Sequence, residues 1–80
     1  MNLVEEAKIA MMAGNYREAE RFLKMALERN PEDLEALINL SMLYEITHDR
    51  ERALEALERA LQLDPENPEL RKRFERLSNL

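Results

Sequence analysis

Eighty residues make one domain near the lower limit at which a chain buries a sufficient core alone, and a catalytic cleft would use up most of that core. Apolar residues at 45% and charged residues at 36% exclude a disordered chain, while one glycine, three prolines, two tyrosines and two phenylalanines exclude a turn-rich β fold. With no cysteine and a single histidine there is no disulfide framework or thiolate metal site, and a net charge of −5 disfavours nucleic acid as partner.

Ala, Leu, Glu and Arg dominate, all strong helix formers, so the chain reads as all-α. Leu3, Ala7, Ala10 and Ala13 recur at intervals of three and four, which places one apolar face on a first helix. Gly14 can take the left-handed conformation that ends it. Asn15 then reads as an N-cap, with Glu18 three residues on to complete a capping box. Ala19, Phe22 or Leu23, Ala26 and Leu27 form the next stripe, which stops before Asn30-Pro31. Leu37, Leu40, Ser41 and Tyr44 make the third face, Thr47-His48-Asp49 a turn, and Ala53, Leu57, Ala60 and Leu61 the fourth face, closed by Asp64-Pro65. Asn67-Pro68 opens a fifth helix with an N-cap and proline at the first helical position. Its stripe is Leu70, Phe74 and Leu77, and Arg71, Lys72, Arg73 and Arg76 cover the rest, as suits a terminal cap.

The second half repeats the first. A shift of 34 residues superposes Leu3, Ala19, Leu23, Ala26, Leu27, Pro31 and Glu32 on Leu37, Ala53, Leu57, Ala60, Leu61, Pro65 and Glu66. These are 7 identities in 32 pairs, where average residue usage gives about 2, so the chain carries an internal repeat. Charge is uneven along it: residues 1–33 sum to −2, residues 34–67 to −5 and residues 68–80 to +2.

A 34-residue unit of two helices, with two alanines on the second and a closing proline, resembles the tetratricopeptide repeat. In the second unit Leu37 stands where the family usually has Trp, Leu40 matches its Leu, Ser41 the small residue, Tyr44 the Tyr, Ala53 and Ala60 the two alanines, Leu57 the large apolar residue and Pro65 the proline. The first keeps Ala7, Gly14, Tyr16, Ala19, Leu23, Ala26 and Pro31, and departs at Glu6 and Ala10. The resemblance implies a right-handed α-solenoid of two antiparallel helix hairpins plus a capping helix: repeat 1 over about 1–33, repeat 2 over about 34–67 and the cap over about 68–80. It also implies a concave surface, lined by the first helix of each repeat, on which a peptide or partner helix lies.

Carried over residue by residue, that surface would be lined by Val4, Lys8, Met11 and Met12, then Ile38, Asn39, Met42 and Glu45, then Lys72, Arg73 and Arg76. Methionine packs adaptably at promiscuous binding surfaces, so Met11, Met12 and Met42 fit a docking face; the alternative is that they complete the core. Lys72, Arg73 and Arg76 would clamp an acidic group, with Asn39 donating nearby; the alternative is the solvated side of an end helix, with Glu69–Arg73 as an i,i+4 pair. Some family members hold a chaperone's C-terminal carboxylate in such a clamp. Asn39 and Arg73 fit that pattern, but Val4 replaces its lysine and Lys8 its asparagine, so the full clamp is absent.

His48 reads as a polar turn residue, and Glu51, Glu55 and Glu58 as a solvated face, with Glu55 at pairing distance from Arg59. No phosphate loop, nucleophile–base pair or metal spacing occurs, so neither an enzyme nor a cofactor is expected. No basic segment precedes an apolar core, and no apolar run approaches a membrane span, which predicts a cytoplasmic protein or a domain of one, without a membrane partner. The expected function is non-catalytic protein–protein interaction. The alternative is a self-assembling or engineered repeat protein, a homodimer formed through Ile9, Met11 and Met12 on the exposed terminal helix.

Overall fold

The computed structural model describes residues 1–79. Among them are five α-helices and no strand: α1 (Leu3–Met12), α2 (Tyr16–Arg29), α3 (Leu34–Ile46), α4 (Arg50–Leu63) and α5 (Pro68–Ser78). This is the all-α helical-repeat architecture that the 34-residue periodicity predicts. Leu80, the last residue of the expected cap, lies outside the described residues.

The repeat is visible in the backbone hydrogen bonds of the turns. The Asn15 amide donates to the Ala10 carbonyl at 2.8 Å, and the Asp49 amide to that of Tyr44 at 2.8 Å. The Gly14 amide reaches the Met11 carbonyl at 3.0 Å and that of His48 reaches Glu45 at 3.1 Å. Both turns need a left-handed residue, and they use Gly14 (φ 76) and His48 (φ 63). The turns between repeats match as well, Asp33 to Asn30 and Asn67 to Asp64.

Capping follows the sequence in most places. The side chains of Asn2, Asp33, Asp49 and Asn67 accept from the first-turn amides of α1, α3, α4 and α5, and Pro68 occupies the first turn of α5. Each such cap stabilises by about 1 kcal/mol. Asn15 is the exception. It stands at the N-cap position but makes no side-chain cap bond, and Glu18 pairs with Arg21 instead of completing a capping box.

The core is one continuous cluster running along the stack. Ala7, Ala19, Leu23, Ala36, Ala53, Leu57 and Ala60 are fully buried, and Leu37, Leu43 and Leu70 nearly so. Alanines here let helix axes approach closely, and the leucines fill the space between repeats. Leu23 is the buried member of the Phe22–Leu23 pair; Phe22 is half-buried at the edge. Tyr44 ties the repeats together: its hydroxyl donates to the Glu20 carboxylate at 2.6 Å, from α3 to α2.

Within each repeat the helices pack as a hairpin, and α3 also packs against both α1 and α2. The second helices, α2 and α4, do not approach one another. The two repeats thus lie closer on the side of their first helices, α1 and α3, the inner side of the row. α5 packs on α4, and its C-terminal carbonyls at Leu77 and Ser78 accept from Arg50 at 2.6 and 3.2 Å. A cation at a helix C-terminus offsets the negative end of the helix dipole.

Candidate interaction face

The inner face is built from α1, α3 and α5. At its α1 end, the Lys8 ammonium lies 2.7 Å from the Glu35 carboxylate and 3.3 Å from Glu5, joining α1 to α3. The bond to Glu35 first, and that to Glu5 second, raise the Lys8 pKa above its ordinary value.

Towards α5 the centre of the face is Glu45. Arg73 reaches it with Nε at 3.1 Å and with a terminal guanidinium nitrogen, and Arg76 reaches its other oxygen at 2.7 Å. Arg73 also donates to the Ser41 hydroxyl at 2.9 Å, while that hydroxyl donates to the Ile38 carbonyl at 2.7 Å. Ser41 is fully buried, and these two bonds satisfy it. Between the two charged ends runs an apolar strip. Met42 and Ile46, one turn apart on α3, are 42% and 44% exposed, and they form with Glu45 and Arg73 a shallow cleft of about 280 Å³.

The sequence-derived residues thus divide into three groups. Met12, Ile38, Met42, Lys8, Glu45, Lys72, Arg73 and Arg76 lie on elements of this face, and Met12 is the most open of its hydrophobic residues at 88% exposure. Val4 and Asn39 do not line it. Val4 is 5% exposed and belongs to the core, because the terminal helix turns that side toward its neighbours. Asn39 is 7% exposed and its amide donates to the Glu35 carbonyl at 2.8 Å, so it is spent on its own helix. Met11 is half-buried against the core, as the alternative reading had it.

The basic cluster differs from a free clamp. Arg73 makes no pair with Glu69; its side chain, 13% exposed, turns inward to Glu45. Arg76 keeps 60% exposure beyond its bond to Glu45, and Lys72 is exposed with no ion pair among the described residues. Arg59 likewise makes no pair with Glu55 and donates to the Pro31 carbonyl at 3.4 Å. Two lining residues went unnamed in the sequence reading, Ile46 and Glu35. Ile46 had a signal, four residues beyond Met42 on one stripe; Glu35 had none, since its role is to meet Lys8 from another helix.

A larger cleft, about 520 Å³, lies on the outer side between α2 and α4, over Leu27, Leu40 and Ala56. Its rim alternates in sign, with Lys24, Glu28, Arg52, Glu55 and Arg59, and so favours no single ligand charge. Among the described residues no three His, Asp or Glu side chains gather as metal ligands would, and no helix is long and apolar enough to cross a membrane.

An array of helix hairpins that presents the first helix of each unit on one face is a helical-repeat interaction module. Residues 4–68 match the model of the tetratricopeptide repeat, and the chain belongs to that family. Tetratricopeptide repeats generally mediate protein–protein interactions and are generally non-catalytic. No curated protein matches the chain.

Proposed function

We propose that this chain, acting as one unit of two repeats and a cap over 1–33, 34–67 and 68–80, binds a peptide or helix of a partner protein on its inner face, in the cytoplasm. The observation that carries this reading is the apolar strip of Met42 and Ile46, left open between ion-paired ends of the face. Surface hydrophobics grouped this way mark interaction sites, whereas scattered ones do not. The apolar side of the ligand rests on Ile38, Met42 and Ile46. An acidic group on it meets Lys72 and the exposed part of Arg76, because Arg73 is already bonded to Glu45 and Ser41.

Peptides selected by display against the folded chain test this. Met42→Glu and Ile46→Glu should abolish their binding while the circular dichroism melt is unchanged, and Lys72→Glu should weaken the acidic ones. Arg59→Glu, on the outer cleft, should leave binding intact. Loss of binding in Arg59→Glu together with retention in Met42→Glu moves the site to the outer cleft and ends this reading.

A further inference from the structure

We propose that the inner face is self-complementary, and that it pairs with the inner face of a second copy of this chain about a two-fold axis parallel to α3. The two ends of the face carry opposite charge. At the α1 end, Glu5 and Glu35 surround Lys8, leaving one carboxylate in excess. At the α5 end, Arg73 and Arg76 hold Glu45 and Lys72 is exposed on the same helix; with the first-turn Glu69 counted, one cation remains in excess. The apolar strip lies between them.

Rotation about an axis parallel to α3 lays the Met42–Ile46 strip of one copy on the same strip of the other. It also sets the α1 end of each copy against the α5 end of its partner, so that excess acid meets excess base twice. The alternative two-fold axis, along the row of helices, sets α1 on α1 and α5 on α5, and like charge on like is costly. A patch offered identically by both partners is what a two-fold interface requires. The dimer covers the strip used for partner binding, so a second copy and a partner segment exclude one another, and dissociation exposes the groove.

Sedimentation velocity on the full chain tests the pairing, at low and high salt across the micromolar range. A dimer that weakens with salt is expected. Two reversed variants then separate this interface from any other: Glu5→Lys with Glu35→Lys at the acidic end, and Lys72→Glu with Arg76→Glu at the basic end. Either variant alone sets like charges together at both ends of its homodimer, and its dissociation constant should rise by about tenfold or more. An equal mixture of the two restores both attractive contacts and should dimerise as the parent does. Glu5→Lys and Lys72→Glu as single substitutions provide the same cross on exposed side chains, should a double variant lose its helical circular dichroism. A parent chain that stays monomeric at low salt, reversed variants that dimerise alone, or a mixture that stays monomeric each overturns the proposal. Display peptides lost in Met42→Glu would then still support partner binding, so the two readings fail separately.

Discussion

Arg73 on α5 donates from Nε to the Glu45 carboxylate on α3 at 3.1 Å, across 28 residues of chain, and a second nitrogen of the same guanidinium reaches the buried Ser41 hydroxyl. α5 packs on α4, and its polar ties to α3 run through this guanidinium and through Arg76, which reaches the other oxygen of the same Glu45 at 2.7 Å. Removing it leaves a carboxylate that is 20% exposed with Arg76 alone. Arg73→Ala should therefore destabilise the fold by about 2–3 kcal/mol, as for a part-buried charged hydrogen bond. A thermal melt reads this as a fall of more than roughly 10 °C in a chain this small. A melt unchanged in Arg73→Ala would show that the network does not hold the cap.

Lys8 makes the same kind of inter-helix bridge at the other end, but with its side chain 38% exposed and Glu35 at 57%. Exposed pairs are screened by salt and contribute little. Lys8→Met should leave the melting temperature nearly unchanged at physiological salt, in contrast to Arg73→Ala, with any effect confined to low ionic strength.

The Tyr44–Glu20 bond sets two limits on stability with pH. The hydrogen bond from Tyr44 holds the Glu20 carboxyl below its ordinary 4.5, against the opposing effect of part burial. Burial first, and the bond to Glu20 second, push the Tyr44 phenol above its ordinary 10.0. A carboxyl held low adds stability that is full above about pH 4.5 and lost as pH falls through its folded value. A phenol held high adds stability that is full below pH 10.0 and lost as pH rises towards its folded value. Tyr44→Phe should flatten both arms of the melting temperature against pH, and cost about 1 kcal/mol at neutral pH.

Gly14 and His48 occupy equivalent left-handed turn positions, one with no Cβ penalty and one with it. A Cβ at Gly14 would meet nothing within 4 Å, so Gly14→Ala should cost only the backbone strain, about 1–2 kcal/mol. His48→Gly should stabilise by up to about 1 kcal/mol, because the strain relieved exceeds the extra chain entropy. Urea titration of both variants checks the opposite signs.

The fold was legible in the sequence because its determinants are local or periodic. Ala19/Ala53, Leu23/Leu57 and Ala26/Ala60 recur at 34 residues on helical spacing, and each pair is buried. Asp49 and Asn67 cap the helices that their positions announce. Asn15 shows where this local logic stops, since cap position alone does not fix a side-chain torsion.

What only the tertiary structure decided is which surface side chains are already occupied. Arg73 reads as a free cation until α5 docks and brings it to Glu45 and Ser41. Glu35 reads as a solvated first-turn acid until α1 brings Lys8 to it. Helix periodicity reports a residue's angle about its own axis and says nothing of what the neighbouring helix places opposite. Sequence by itself thus determined the array of helices, and packing decided which side chains of its first helices are buried, which are paired across helices, and which, as Met42 and Ile46, stay open.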